Sequence, residues 1–283
     1  MKVLIYGGSG FLGRNLANYL NKKKHKVTVF DKKKIYFDKK NIKFIKGDIL
    51  NLSQVQKATK GQDIVYNLAG ISDIGDSIKN PISTTRINIL GSVFTLEAAV
   101  KYRVKRYIFA SSIYALSEQG GFYSSTKLSS EIFIKRYSKK YNLEYNILRF
   151  GSIFGENANT FNTINQIINN YRKRNKILRN TDGNEIRNYI HVTDAAKICH
   201  QIMINKNNIN KTFNIIGSKS YKVKKLLNEV GKKLDKEVVF SKNKITRSDH
   251  YKINPYSLKI TKGKMIKPKN AIDIKEWLIS NLS

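Results

Sequence analysis

The sequence predicts an α/β fold built on a doubly wound parallel sheet, with a smaller α/β portion towards its C-terminal end. The first observation is that strand-like and helix-like segments alternate through the first half of the chain. The second is a glycine-rich turn that joins the first strand to the first helix. The 283 residues are 41% hydrophobic, which is enough to fill the cores of two unequal domains. We expect one domain over residues 1–155 and the smaller portion over residues 156–283.

The strands of the first half are short apolar runs. They are predicted at Lys2–Tyr6, Lys26–Phe30, Ile42–Lys46, Asp63–Asn67, Arg106–Ala110 and Glu144–Phe150. The helices between them are predicted at Gly10–Asn21, Pro81–Tyr102 and Phe122–Asn142. The first two carry apolar residues along one face, and Pro81 opens the second, a position that proline favours.

The alternation loosens after Gly151. Helices are predicted at Thr160–Arg174, Thr193–Ile204, Val223–Leu234 and Ala271–Leu282, and a strand at Thr212–Ile216. No repeat and no proline-rich linker separates the two halves. The C-terminal portion is therefore expected to pack directly on the first domain and to leave a cleft between them.

Cysteine usage argues against a disulfide-stabilised secreted protein, and hydropathy argues against a membrane-spanning protein. The single cysteine, Cys199, cannot form an intramolecular disulfide, which fits a reducing cytoplasm. No apolar run approaches the roughly 20 residues that span a bilayer. The apolar stretch at the N-terminus is too short for a signal peptide. We expect a cytoplasmic protein without a membrane partner.

The net charge of +33 invites a nucleic-acid interpretation. The lysines are dispersed, however, and form only short runs such as Lys22–Lys24 and Lys32–Lys34. No RNA-binding signature with paired aromatic residues is present. We interpret the charge as compositional and expect no specific nucleic-acid partner, although a basic surface would attract an anionic diphosphate substrate.

Gly7, Gly10 and Gly13 follow the first strand and open the first helix. Glycines there let the backbone turn tightly and approach a pyrophosphate, which binds at the positive helix N-terminus. The pattern in this context predicts a Rossmann-type dinucleotide site. Asp31 ends the second strand, where a carboxylate accepts hydrogen bonds from the adenosine ribose and repels a 2′-phosphate. The predicted cofactor is therefore NAD rather than NADP.

Tyr123 and Lys127 lie four residues apart and share one face of a predicted helix. A phenol titrates near pH 10 and is a poor base at neutral pH. A nearby ammonium stabilises the phenolate and lowers the pKa of the tyrosine. Beside a dinucleotide, this acid/base pair indicates a hydride-transfer enzyme.

Further motifs carry a resemblance to a known family. They are Asn67–Gly70, Ser77, Pro81, Asn88–Gly91, Ala110–Ser112, Leu148–Gly155 and Arg187–Ala196. Together with the glycines and the Tyr/Lys pair, they resemble the extended short-chain dehydrogenase/reductases of the NAD-dependent epimerase/dehydratase family. Arg187–Ala196 resembles the "RDFIHVDDVA" motif of members that modify nucleotide sugars.

The resemblance implies a role for each matching residue and no metal. Implied catalytic residues are Ser112, Tyr123 and Lys127. Implied cofactor-binding residues are Gly7, Gly10, Phe11, Leu12, Gly13, Asp31, Lys32, Asp48, Ile49, Leu68, Ala69, Gly70, Asn88, Tyr123 and Lys127. Implied substrate-binding residues are Ser111, Ser112, Ser152, Arg187 and Arg247, whereas Arg149 and His191 are expected to be structural.

The implied activity is an NAD-dependent epimerisation of a nucleotide-diphosphate sugar through a transient 4-keto sugar, in carbohydrate metabolism and polysaccharide biosynthesis. An NAD(P)H-dependent 4-ketoreductase is the nearest alternative, and a decarboxylase stays open. A dehydratase is disfavoured, because Ile113 and Tyr114 follow Ser112 where dehydratases of the family have an acidic residue. Non-enzymatic alternatives are a dinucleotide-binding or a basic RNA-binding protein.

The resemblance also predicts a homodimer, formed through the helices at Pro81–Tyr102 and Phe122–Asn142. Tyr123 follows Ser112 by only 11 positions, fewer than is usual in the family. This shorter loop is expected to remove a wall of the usual sugar pocket.

Overall fold

The structure is a computed structural model that describes residues 1–35, 37, 41–117, 120–241 and 263–283. Its strands are β1 (Lys2–Tyr6), β2 (Lys26–Asp31), β3 (Lys43–Lys46), β4 (Ile64–Asn67), β5 (Arg106–Ser112), β6 (Tyr145–Phe150), β7 (Ser152–Phe154), β8 (Ile177–Arg179), β9 (Ile186–His191), β10 (Lys211–Ile215), β11 (Ser220–Lys222), β12 (Val238–Phe240) and β13 (Lys264–Ile266). The strands predicted for the first half of the chain are all present, with ends that differ by one or two residues.

The central sheet has eight strands in the order β13-β10-β6-β5-β4-β1-β2-β3. Every neighbouring pair in it runs parallel. The chain builds the sheet outward from β1 in one direction and from β4 in the other. This reversal opens a crevice at the carboxyl ends of the strands, where sheets of this kind bind ligands. The predicted doubly wound parallel sheet is confirmed.

The helices are α1 (Phe11–Lys22), α2 (Leu52–Thr59), α3 (Ile74–Lys79), α4 (Pro81–Thr85), α5 (Gly91–Lys101), α6 (Gly121–Tyr141), α7 (Thr163–Arg174), α8 (Val192–Ile204), α9 (Val223–Leu234) and α10 (Ile274–Leu282). The sequence analysis predicted α1 and α6–α10 but missed α2 and α3. Both missed helices are short: α2 has eight residues, and α3 has six and buries only Ser77. A pattern of one or two turns is a weak helical signal.

The predicted helix Pro81–Tyr102 is interrupted. A π-helical turn at Arg86–Leu90 separates α4 from α5. This turn carries Asn88, whose amide and carbonyl groups bond the backbone of Ile71 beside the crevice. The π-helical turn therefore lies beside the crevice. Such turns are frequent at functional sites.

Two apolar clusters cover the two faces of the central sheet. Alternate residues of β1 supply them, because successive side chains of a strand point to opposite faces. Ile5 belongs to the cluster under α1 and α8, whereas Leu4 belongs to the cluster under α2, α5 and α6. The sheet is thus buried on both sides, and its carboxyl edge remains as the place for a ligand.

The second half of the chain contributes to the central sheet and also forms a satellite. β10 and β13 extend the central sheet, whereas β7, β9 and β11 form a three-stranded sheet and β8 pairs with β12. A separate core gathers side chains of α7, α9 and α10, among them Ile164, Leu226 and Leu278. None of the helices in the described ranges is long and apolar enough to cross a membrane.

Candidate active site

A cavity of about 590 Å³ opens at the carboxyl ends of the central strands. Its volume suits a small-molecule or cofactor site. Most of the predicted site residues line it, namely Gly7, Gly10, Phe11, Leu12, Gly13, Asp31, Lys32, Ile49, Leu68, Ala69, Gly70, Ser111, Ser112, Tyr123, Lys127 and Ser152. The fold therefore joins the glycine turn and the Tyr/Lys pair in one space.

The glycine turn fits a dinucleotide pyrophosphate. Gly7 has φ +72°, and a Cβ there would lie 2.6 Å from the Ala69 backbone. A Cβ on Gly13 would lie 2.4 Å from the carbonyl oxygen of Gly7. No described side chain caps the N-terminus of α1, and its first turn holds no acidic residue. The positive end of this helix is therefore available to a diphosphate.

Asp31 ends β2 and lines the same cavity. Its Oδ2 accepts a hydrogen bond of 3.1 Å from the Ser9 amide, and its Oδ1 accepts one of 3.1 Å from the Lys33 amide. Both oxygens keep lone pairs for further donors, because a carboxylate has about four acceptor sites. Asp31 therefore holds the glycine turn in place and can still accept the ribose hydroxyls of NAD.

We expect Asp31→Asn to weaken NAD binding about 10-fold or more, because hydrogen bonds to a charged group contribute about 1.5–3 kcal/mol. Binding of NADP should weaken less, since the substitution also removes the charge that repels its 2′-phosphate. Isothermal titration with each cofactor measures both effects. Asp63→Asn is the matched control, because Asp63 carries the same charge but directly precedes β4 at the opposite edge of the sheet, where it bonds Lys2 and Lys105. Equal losses of NAD affinity in the two variants would contradict this role.

Two predicted cofactor residues lie just behind the cavity wall. Asp48 forms an ion pair of 3.1 Å with Lys32 and accepts a hydrogen bond from the Leu50 amide. Asn88 bonds Ile71 and, through its side-chain amide, the hydroxyl of Thr126 on α6. Neither side chain is part of the described lining. Direct contact of Asp48 or Asn88 with the cofactor stays a prediction.

Ser112, Tyr123 and Lys127 meet at the junction of β5 and α6. The side chains of Ser112 and Tyr123 are hydrogen-bonded to each other. The Nζ of Lys127 donates a bond of 2.7 Å to the Ala110 carbonyl and lies 5.8 Å from the centre of the Tyr123 ring. Two hydroxyls and one ammonium therefore converge, which is the arrangement that transfers a proton to or from a bound hydroxyl.

The prediction that the protein's own side chains lower the pKa of Tyr123 is wrong. Burial raises the pKa of Tyr123, and its hydrogen bond with Ser112 offsets part of that rise. Lys127 does not cancel this rise: its Nζ donates to the Ala110 carbonyl and lies 4.8 Å from the centre of the Phe109 ring. Burial lowers the pKa of Lys127 itself to about 8, against the opposing charge of Glu131.

Ser111 and Arg149 are held by the same buried carboxylate. The hydroxyl of Ser111 donates a bond of 2.6 Å to Glu131 Oε1. Arg149 donates to both oxygens of Glu131, at 2.8 Å and 2.5 Å. The structural role expected for Arg149 is confirmed. Ser111 is only 4% exposed, and its predicted contact with substrate stays a prediction.

The other predicted substrate residues lie in different places, and of those within the described ranges only Ser152 lines the cavity. Ser152 begins β7 and lines the cavity. Arg187 lies buried in β9, donates to the Ile186 carbonyl and is absent from the described lining, so its diphosphate contact stays a prediction. Arg247 lies outside the described residues. His191 is structural, as expected, because its ring accepts the Thr193 amide and caps α8.

Two groups of residues that line the cavity were not predicted from the sequence. Ile71, Ser72 and Ile74 follow β4, and Asn159, Phe161 and Asn162 precede α7. The first group was predictable, because loops after the carboxyl ends of parallel strands form the binding crevice. The second group follows a three-residue strand, which is too short to give a sequence pattern.

Comparison with protein families gives one match over most of the chain. Residues 3–215 match the model of the NAD dependent epimerase/dehydratase family. A putative UDP-glucose 4-epimerase of Methanocaldococcus jannaschii is 27% identical over 219 residues, which are 69% of this chain and 71% of that protein. A dTDP-D-glucose 4,6-dehydratase of Dictyostelium discoideum is 28% identical over 251 residues, 76% of this chain and 58% of that longer protein.

Solved structures share the fold. The crystal structure of UDP-glucose 4-epimerase from Thermotoga maritima with UDP-glucose superposes with a TM-score of 0.82. The match covers 100% of this chain and 97% of that one, at 22% sequence identity. At this identity the likeness shows that the two chains have the same fold, including the satellite formed by the second half.

Proposed function

This chain belongs to the NAD-dependent epimerase/dehydratase family, and we propose that it is a 4-epimerase of a nucleotide-diphosphate sugar, working through a transient 4-keto sugar. The observation that carries the proposal is the single cavity that joins the dinucleotide turn at Gly7–Gly13 to Ser112, Tyr123 and Lys127. NAD, the cofactor of the family, takes a hydride from the sugar carbon and returns it. The residues around it must therefore move one proton and hold one oxygen.

Tyr123 carries the proton in this proposal. Its phenolate accepts the proton of the sugar 4-hydroxyl as C4 is oxidised, and the phenol returns it when C4 is reduced. Ser112 is hydrogen-bonded to Tyr123 and donates to the same sugar oxygen. The oxygen therefore stays in place while the planar 4-keto sugar turns over in the cavity. Reduction on the opposite face gives the epimer.

Lys127 supplies the positive charge that the phenolate needs. With a pKa of about 8 the ammonium is largely charged at neutral pH. Oxidised NAD held by the glycine turn would add its own positive charge, and this charge would oppose the effect of burial on the phenol. The Nζ also lies close to Gly70, at the edge of the cofactor wall. We assign to Lys127 both phenolate stabilisation and a hydrogen bond to the nicotinamide ribose.

The two portions of the chain divide the work in this proposal. Residues 1–155 hold NAD and the proton-transfer residues, and residues 156–283 mainly bind the nucleotide-diphosphate sugar. Support comes from the cavity, which continues from Ser152 to Asn159, Phe161 and Asn162 at the start of the second portion. Similarity to the putative UDP-glucose 4-epimerase of Methanocaldococcus jannaschii and to the UDP-glucose 4-epimerase of Thermotoga maritima favours a UDP-sugar as the substrate.

A panel of UDP-, GDP-, dTDP- and CDP-sugars, followed by NMR, tests the proposal. An epimerase converts one of them to its 4-epimer while NAD is neither consumed nor released. A 4-ketoreductase, the nearest alternative, instead consumes NAD(P)H stoichiometrically with its 4-keto substrate. A stable 4-keto-6-deoxy product would mean a dehydratase. If no sugar of the panel is converted, the proposed function is wrong.

We propose that the enzyme is a homodimer. Large apolar side chains are exposed on α4, on α6 and on the π-turn between α4 and α5, namely Ile82, Leu90, Phe122, Ile132 and Phe133. Ile82 is 76% exposed and Ile132 52% exposed. The elements that carry them contact one another. Exposed apolar surfaces mark interaction sites, and a C2 interface places the same surface on both subunits.

Phe133→Asp is expected to convert the dimer to a monomer, because it places a charge on this exposed apolar surface. Light scattering after gel filtration measures the mass. Val239→Asp is the control, since Val239 is 37% exposed on β12, which pairs with β8 in the satellite. A wild-type monomer would rule out the dimer, as would loss of the dimer in the control alone.

The proposal also assigns the enzyme to carbohydrate metabolism in the cytoplasm, and to polysaccharide biosynthesis in particular. The only cysteine, Cys199, is a buried free thiol, which is consistent with a reducing compartment.

A further inference from the structure

Glu131 is a buried carboxylate for which the proposed chemistry has no task. It is 1% exposed and lies on α6, one helical turn beyond Lys127. It accepts hydrogen bonds from Ser111 at the end of β5 and from Arg149 on β6. Ser111 and Arg149 are also directly opposite each other in the sheet. One carboxylate thus links the helix that carries Tyr123 and Lys127 to the two strands beneath it.

A buried ion pair of this kind is a weak argument for stability alone. Removing two charges from water costs about as much as their attraction returns, and well-packed apolar residues often do as well. Glu131 and Arg149 are both at least 97% buried. What such a pair adds is one fixed geometry, because both carboxylate oxygens and the planar guanidinium must meet in a single arrangement.

We propose that Glu131 is a positioning residue for the proton-transfer site. Through Ser111 it fixes the end of β5 that carries Ser112, and along α6 it holds a negative charge one turn from Lys127. This inference rests on the function proposed for Ser112, Tyr123 and Lys127. It gives Ser111 a positioning role behind the site instead of the substrate contact predicted from the sequence.

A path of direct contacts runs from Glu131 through Ser111 to Ser112. Ser111 is the neighbour of Ser112, whose hydroxyl accepts the Tyr114 amide and is also bonded to Tyr123. If the bond from Ser111 to Glu131 is lost, the end of β5 loses one of its ties to α6, although the bond from Lys127 to the Ala110 carbonyl remains. Ser112 and Tyr123 come from those two elements, so their mutual distance is then less well fixed. A misplacement of about 1 Å between reacting groups can lower the rate about 10²-fold.

Glu131 also acts on Lys127 through its negative charge. Glu131 faces Lys127 on its own helix, and Arg149 and Tyr145 on β6. Lys127 in turn faces Tyr123 and the Ala110 carbonyl. Burial lowers the pKa of Lys127, and the charge of Glu131 works against that effect. Glu131 therefore keeps Lys127 charged to a higher pH, which keeps the phenolate of Tyr123 stabilised.

The first test measures Lys127 directly and needs no turnover. Lysine labelled with ¹³C at Cε is titrated by NMR, and the Lys127 signal is assigned by its loss in Lys127→Arg. In the wild type we expect a midpoint near pH 8. In Glu131→Gln, which keeps the size and one hydrogen-bond acceptor, the midpoint should fall by about one pH unit. An unchanged or higher midpoint would overturn the electrostatic role.

The second test measures the geometric role with smaller changes. Ser111→Ala removes one hydroxyl and should lower kcat about 10-fold with KM unchanged, because one buried hydrogen bond to a carboxylate contributes about 1.5 kcal/mol. Ser129→Ala is the matched control, since Ser129 lies on α6 and bonds only the Ser125 carbonyl among the described contacts. It should leave kcat unchanged.

Two results of the second test would overturn the geometric role. One is a kcat of Ser111→Ala equal to that of the wild type. The other is a raised KM with an unchanged kcat, which would restore the substrate contact. If the wild type converts no nucleotide sugar, the proposed function fails, and the Lys127 titration still decides whether Glu131 acts on Lys127.

Discussion

Replacing Tyr123 with phenylalanine is expected to lower kcat by about 10²-fold to 10⁴-fold, the usual contribution of a positioned acid or base. The ring remains and continues to fill its place, so cofactor binding and folding should be preserved. Only the hydroxyl that is bonded to Ser112 is lost. Steady-state rates on the sugar that the wild type converts, together with the NAD content of the purified protein, measure both effects.

Tyr137→Phe is the matched control for this experiment. Tyr137 lies on the same helix, but its hydroxyl bonds Glu97 at the surface, far along α6 from the cavity. The control should retain the wild-type kcat. If Tyr123→Phe turned over as fast as Tyr137→Phe, Tyr123 would not be the proton carrier.

Replacing Gly13 with alanine is expected to abolish NAD retention and to lower the free energy of unfolding by about 1–3 kcal/mol, as overpacking does. The added Cβ would lie 2.4 Å from the Gly7 carbonyl oxygen and 2.7 Å from the Gly8 Cα. These are backbone atoms and cannot rotate away, so the turn itself must shift. The pyrophosphate site at the N-terminus of α1 is then displaced.

NAD released from the denatured protein and a urea unfolding curve measure these two effects. Gly75→Ala is the control, because a Cβ there meets only the carboxylate of Asp73, at 3.0 Å, and that side chain can move. It should retain NAD. A Gly13→Ala variant with normal NAD content would show that the cofactor does not depend on this turn.

Local patterns in the sequence predicted the fold well wherever an element buries one regular face. α9 was predicted with its observed ends, because Val223, Leu226, Leu227 and Val230 repeat at helical spacing and are buried. The prediction of one continuous helix from Pro81 to Tyr102 was wrong in the middle, at the π-turn Arg86–Leu90. There Asn88 is bound by Ile71 and Thr126, so contacts with distant segments determine the π-turn. The three-residue strands of the second half are too short for any periodicity.

In the candidate site, too, local motifs were predictable from the sequence and features that depend on distant contacts were not. Gly7–Gly13 and the Tyr123/Lys127 pair were recognised because each is a short motif whose spacing carries the chemistry. The raised pKa of Tyr123 was not, because it depends on burial that only the folded chain creates. Glu131 was missed for a similar reason: its partners Ser111 and Arg149 are about 20 positions away in the chain, in strands on the other side of the packing interface.

The central claim is that Ser112, Tyr123 and Lys127, beside NAD in one cavity, oxidise and then reduce the same sugar carbon. The fate of the hydrogen at C4 tests it most directly. The sugar that the panel identifies is supplied with deuterium at C4 in ordinary water, and the product is analysed by NMR. The account predicts a 4-epimer that retains the deuterium at C4. Loss of the deuterium to solvent would mean that C4 is deprotonated rather than oxidised, and would contradict it.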